Sequence, residues 1–287
     1  MSHSLTDLDA AIAEAGLVPG QSPSPVLLPD ASTVFAKRAA RLREIAPGNG
    51  LAEWLSFVAI LADAQHTVIG TAAQHQPEHQ WLADLRALLA VVVPLVPATV
   101  RGVVEALEQS DNAALAECRE RIHAGHARRD DLAAAPFLAA AEQVAWTRHA
   151  ATLDAATTTP SAVSHQCPVC GQPPVAGMIH IGAASAGLRY LHCGTCGCAW
   201  HHVRATCVAC GDSRELGYQM IEGGDQGIRA ECCDHCHSTL KLFLLDKNPG
   251  FDPVADDLAS IALDILVGEK GYQRIGGNPF LAMAAED

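Results

Sequence analysis

Through the first 160 positions, apolar residues recur at three- and four-residue steps, the spacing that gathers them on one face of a helix. Thr6 can cap a short first helix that stops at Gly16, with Asp7 and Asp9 placed to favour its dipole. Residues 17–31 are rich in Pro and Ser and predict an extended connector. From Ser32 a helix with Val34, Ala36, Ala40 and Leu42 as its apolar positions runs to a stop at Pro47-Gly48-Asn49-Gly50. A longer helix follows, carrying Leu51, Trp54, Leu55, Val58, Leu61 and Ala62 on one face. Ser110 is placed to cap a helix over residues 111–124 that Gly125 ends, and a last long helix spans residues 129–154.

One apolar run has the look of a membrane span. Fourteen residues lie between Arg86 and Arg101, interrupted by Pro94 and Pro97. A bilayer needs roughly twenty apolar residues, so this run predicts a buried helix pair broken at the prolines, and no membrane insertion is expected. Residues 155–166 read as a linker. Beyond them the pattern shortens to glycine-rich alternating stretches such as Met178-Ile179-His180-Ile181 and Leu240-Lys241-Leu242-Phe243, which suit β-hairpins. Residues 254–270 return to a helix whose apolar face is Val254, Leu258, Ile261, Ala262, Ile265 and Leu266, expected to pack back on one of the preceding domains. The expected fold is multi-domain: an all-α N-terminal domain (1–160), two small β modules (165–204 and 205–246), then a C-terminal helix and tail (250–287).

Cysteine placement gives the β region its chemistry. Four C-x2-C pairs, Cys167/Cys170, Cys193/Cys196, Cys207/Cys210 and Cys233/Cys236, form two copies of C-x2-C-x22-C-x2-C set forty residues apart. The repeat reaches past the cysteines: Gly171 matches Gly211, Gly177 matches Gly217, Gly187 matches Gly227 and Arg189 matches Arg229. Two residues between thiolates let both sulfurs of one turn face a single ion, and two such turns complete a tetrahedral site. These eight cysteines are the candidate metal ligands. Sequential pairing of the turns is the natural reading; a cross-braced pairing, first turn with third, competes, and duplication of a whole ribbon disfavours it.

Cys167-Pro-Val-Cys170-Gly171 is a rubredoxin-type knuckle, in which Pro fixes the turn and Gly accepts positive φ after the second ligand. Cys193-Gly-Thr-Cys196-Gly197 and Cys207-Val-Ala-Cys210-Gly211 keep the glycine; Cys233-Asp-His-Cys236-His237 does not, so a less regular second site is expected. The chain thus reads as two tandem rubredoxin-like metal ribbons. Iron and zinc both accept four thiolates, and ligand type alone does not separate them. Rubredoxin-like turns suit mononuclear iron, whereas structural sites more often hold zinc. Four protein ligands leave no open position for hydrolytic chemistry. Cys198 and Cys232, beside the ligands, read as free thiols, Cys118 as a small buried hydrophobe, and Trp200 as an aromatic lid on the first module. His192, His201, His202, His235 and His237 read as surface or packing residues. Asp256 and Asp257 fall at a helix start, where the dipole accounts for them. No phosphate loop, nucleophile elbow or His-Glu-x-x-His motif appears, so catalytic residues are not expected.

Charge argues against one alternative, a nucleic-acid-binding protein with structural zinc. The net charge is −13, and residues 165–245 hold five basic and six acidic side chains. Two divalent ions, each in four thiolates, take that region to about −5. A nucleic-acid-binding zinc ribbon needs the opposite surface. A thiol–disulfide oxidoreductase is disfavoured by the duplicated four-cysteine register, while a scaffold with structural zinc shares every feature above. The first residues are acidic, with no basic start followed by an apolar stretch and no twin-arginine signal, so a cytoplasmic chain with reduced cysteines is expected.

Longer motifs extend the picture. Gly187-Leu-Arg-Tyr-Leu-His-Cys193, Trp200-His-His-Val-Arg204 leading into Cys207, and Lys241 after the last pair resemble the accessory proteins of respiratory formate dehydrogenase, the FdhE-type family. So does the tail, Ala255-Asp-Asp-Leu-Ala-Ser260, Glu269-Lys-Gly-Tyr272 and Asn278-Pro-Phe-Leu281. The likeness covers residues 165–281 closely and the first 160 by helical layout. It implies a cytoplasmic assembly factor rather than an enzyme, which contacts the formate dehydrogenase catalytic subunit before export. It also implies rubredoxin-like iron sites at the eight paired cysteines and self-association as a homodimer.

Overall fold

A computed structural model describes residues 24–70, 76–161, 165–181 and 187–282. The helix expected between Thr6 and Gly16 lies outside them. In the helical region α1 (Val34–Ile45) and α2 (Ala52–Val68) form a hairpin, turned at Gly48 with φ +79°. They are followed by α3 (Pro77–Val92), α4 (Ala98–Gln109), α5 (Asn112–His123), a 3-10 turn (Arg129–Ala133) and α6 (Ala135–Ala150). Helix α6 buries residues on every side, the mark of a central helix, and packs against α2 and α3.

Several helical expectations are corrected. The buried face of α1 is Phe35, Arg38, Ala39, Arg41 and Leu42, whereas Ala40 is exposed. Two arginines displace the apolar stripe because each has a carboxylate from the far end of the chain: Arg38 meets Asp252 at 3.1 Å and Arg41 meets Asp256 at 2.7 Å. The cap of α5 is Asp111, whose carboxylate accepts the Ala114 N–H at 2.8 Å; Ser110 instead closes α4. The helix expected from residue 129 begins as the 3-10 turn. The apolar run forms the end of α3 and the start of α4 with its prolines between them, but α4 is a surface helix that buries only Val104 and Leu107. No helix among the described residues is long and apolar enough to cross a membrane.

Among the described residues the strands form one eight-stranded sheet. The first ribbon is β2 (Pro174–Ile179), β3 (Arg189–Cys193) and β4 (Ala199–His201), antiparallel neighbours in that order. The second repeats it with β5 (Leu216–Gln219), β6 (Ile228–Cys233) and β7 (Ser238–Leu244). The ribbons fuse through a parallel seam between β2 and β7, in which Gly177 pairs with Leu242. A Cβ at Gly177 would lie 2.6 Å from Leu242 Cδ2, so any larger residue there must push the Leu242 side chain aside. Its repeat partner Gly217 stands on the edge strand with open space around it. The extended connector supplies β1 (Val26–Leu27), which pairs with β4, and the tail supplies β8 (Gln273–Arg274) beside β7.

The C-terminal helix is two, α7 (Ala255–Ala259) and α8 (Ile261–Gly268), broken at Ser260. The break turns the apolar face: Val254, Leu258, Leu263 and Val267 are buried, while Ile265 and Leu266 are exposed. Helix α7 packs on α1 and the helical core, and α8 covers Ala230 and Cys232 of β6. A dipole account of Asp256 and Asp257 is insufficient. Asp257 is fully buried and meets Lys241 at 2.9 Å, Arg274 at 2.8 Å and the Asn278 amide at 2.9 Å. This network fastens the tail to β7. Removing one partner of such a pair costs about 3–5 kcal/mol, because the other charge stays buried alone.

Candidate metal centres

Each ribbon delivers its four cysteines from two tight turns. In the first, the Gly171 N–H donates to the Cys167 carbonyl at 3.0 Å and the Val169 N–H points at the Cys167 sulfur at 3.5 Å. In the facing turn, the Thr195 N–H points at the Cys193 sulfur at 3.4 Å. Gly171, Gly197 and Gly211 hold φ near +75°, as a turn with N–H groups aimed at sulfur requires. The fourth turn is as tight as the others despite its missing glycine. His237 itself adopts φ +56° and donates its N–H to the Cys233 carbonyl at 2.8 Å. The irregularity expected there is therefore a strained residue inside a regular turn.

The sulfurs gather as Cys167, Cys170, Cys193 and Cys196, and as Cys207, Cys210, Cys233 and Cys236, each set within 4.8 Å. The grouping is sequential; no turn of one ribbon meets a turn of the other in these sets. Within the first, Cys167 lies 3.4 Å from Cys196 and Cys170 lies 3.3 Å from Cys193. Within the second, the Cys207–Cys236 and Cys210–Cys233 distances are 3.6 and 3.7 Å. Four thiolates about 2.3 Å from one ion stand about 3.8 Å apart, so the donor set and spacing fit a four-coordinate zinc or iron ion. Without a cation the cluster cannot carry four charges. Hydrogen bonds from Cys170, Cys193 and Cys196 push the Cys167 thiol far down, while Cys167 and Cys193 drive Cys170 far up.

The two sets differ in their surroundings. The first is jacketed by Val26, Ala150, Leu191, Trp200 and, from the second ribbon, Val208 and Leu240. The backbone between Cys193 and Cys196 is held from the helical region: Gln143 of α6, fully buried, donates to the Gly194 carbonyl at 2.6 Å. Gln65 of α2 in turn donates to Gln143 at 2.7 Å. In the second set Cys210 is exposed and Cys236 lies at the surface, partly covered. The Ser238 hydroxyl stands 3.0 Å from the Cys236 sulfur and 3.3 Å from Cys207. Although burial pushes the Cys236 thiol up, hydrogen bonds from the Ser238 side chain and backbone bring it down to about 7.

Cys198 and Cys232 are buried beside the clusters and belong to neither. Cys118 stands apart, its thiol pushed up to about 11 by burial and by Asp131. Among the described residues no histidine joins either sulfur set. His180 and His192 instead face one another, Nε2 to Nε2, at 3.3 Å beside Tyr190, and burial pushes His192 down to about 3. Arg189, seen in sequence as a repeated residue, joins the ribbons: fully buried, it meets Glu231 at 2.7 Å and donates to the Thr206 carbonyl at 2.7 Å. Sequence periodicity carried no signal for Gln65 or Gln143, which are polar residues on a central helix pair.

Family models describe the chain in three parts: FdhE N-terminal over residues 23–80 and 70–163, FdhE central domain over 166–204, and FdhE C-terminal domain over 205–281. An FdhE homolog from Edwardsiella ictaluri is 36% identical over 282 residues, 90% of this chain and 91% of the relative. Protein FdhE of Escherichia coli strain K12 is 34% identical over 281 residues, with 90% and 91% covered. The crystal structure of the FdhE protein from Pseudomonas aeruginosa superposes with a TM-score of 0.79 at 33% identity, covering 91% of this chain and 99% of that one. The helical region, the paired four-cysteine ribbons and these likenesses agree, and the chain belongs to the FdhE family.

Proposed function

We propose that this chain is a cytoplasmic accessory protein for the maturation of formate dehydrogenase, engaging the catalytic subunit before export. Its eight paired cysteines bind two metal ions, iron in preference to zinc. The observation that carries this reading is the pair of four-sulfur sets within a chain of FdhE relatives. A filled set leaves no coordination position for substrate, which supports a binding role rather than catalysis. The helical domain (1–160), the metal modules (165–204 and 205–246) and the C-terminal segment (250–287) then form one platform for the unfinished enzyme, and the chain acts as a homodimer. Net charge of −13 supports a protein partner over nucleic acid.

A structural-zinc scaffold is the second reading, favoured by the apolar jacket of the first set. Anaerobic purification, elemental analysis and a pull-down against the formate dehydrogenase catalytic subunit test both. Two iron ions per chain and retention of the catalytic subunit are expected. A colourless zinc protein that fully supports maturation contradicts the iron reading, and failure to retain the subunit contradicts the accessory role.

A further inference from the structure

The two ribbons share one sequence pattern but not one environment, and the difference predicts unequal behaviour. We propose that the second four-cysteine set is an exchangeable metal site, open to external soft-donor ligands, while the first is a permanent structural site. The inference rests on the reading of these cysteines as ligands.

Closure of the first set comes from three directions. Apolar side chains of both ribbons and β1 bury Cys167, Cys193 and Cys196 and half-cover Cys170, Gln143 grips the Gly194 carbonyl from α6, and two prolines press on its turn. A Cβ at Gly194 would lie 3.0 Å from Pro279, and one at Gly197 would lie 3.1 Å from Pro29. Opening this turn therefore disturbs the helical region, β1 and the tail together. Among the described residues no apolar cluster encloses the second set, although Cys207 and Cys233 are themselves buried. Cys210 is exposed, Cys236 sits at the surface, and His237 holds its turn in a left-handed conformation that strains a non-glycine residue. Ser238, 3.0 Å from the Cys236 sulfur and 3.3 Å from Cys207, is placed to hydrogen-bond either of those two sulfurs once displaced. With an ion bound, an incoming donor would take the place of Cys210 or Cys236, and the freed thiolate would take a proton from water. No electron is transferred.

The test uses the full chain loaded with two zinc ions and the chelator 4-(2-pyridylazo)resorcinol, with iodoacetamide pulses mapped by peptide mass. Zinc is expected to leave in two equal phases, the first at least about tenfold faster, because local opening of an exposed segment precedes that of a packed one. Alkylation during the fast phase should fall on Cys207, Cys210, Cys233 and Cys236, with the helical circular dichroism unchanged. Cys210→Ser should remove the fast phase and leave the slow rate as it was. Release of both ions at one rate, or early alkylation of Cys167, Cys170, Cys193 and Cys196, overturns the proposal. A chain that takes up no zinc overturns it together with the ligand assignment, whereas two ions leaving at one rate overturn the inequality alone.

Discussion

At the residue scale, matched positions of a duplicated sequence carry different physical demands. Gly177 lies in the seam between ribbons, where a methyl group would strike Leu242, while Gly217 faces open space. Gly177→Ala should cost about 1–3 kcal/mol by overpacking, and Gly217→Ala should stay within about 0.5 kcal/mol; denaturant midpoints read both, and equal effects would contradict the seam's closeness. His237 poses the converse case. The other three turns place glycine where it sits at φ +56°, so His237→Gly should stabilise the loaded second ribbon by about 1 kcal/mol. Lower thermal stability of that variant would mean that packing of His237 against Tyr272, with ring centroids 6.1 Å apart, outweighs the backbone strain.

At the element scale, caps and buried charges decide what periodicity cannot. Asp131 lies in the 3-10 turn before α6, where its carboxylate accepts from Arg121 at 2.6 Å and from the Arg128 N–H at 2.9 Å. The Arg121 hydrogen bond holds this carboxylate well below the ordinary range. A depressed native value stabilises the fold above the unfolded value and loses that contribution as pH falls. Asp131→Asn should therefore destabilise at neutral pH, and its gap from the parent should narrow below about pH 4; a constant gap from pH 7 to 3 would exclude the charge argument. The helices were legible because apolar spacing is local, as in α2, where Leu55, Val58, Leu61 and Ala62 are all buried. The face of α1 was not, since Arg38 and Arg41 are buried by acids more than two hundred residues away. Nor does a continuous apolar pattern reveal the break at Ser260.

At the scale of the whole molecule, the register of the cysteines made both sulfur sets legible, because duplication repeats spacing. The fusion of the ribbons was not, since the β2–β7 seam pairs segments that neither copy specifies alone. Arg189 and Glu231 secure that fusion from within, both almost fully buried. Arg189→Met leaves Glu231 buried without its cation and should cost about 3–5 kcal/mol. If that loss is absent in thermal unfolding, the junction is held by other contacts.

The central claim is that the eight sulfurs hold two ions, and metal stoichiometry after anaerobic purification tests it most directly. Two transition-metal ions per chain are predicted, falling to one when Cys167 and Cys170 are both changed to Ser, since lost thiolates remove the folding energy that metal supplies. A native chain without metal, or an unchanged count in that variant, would contradict the account.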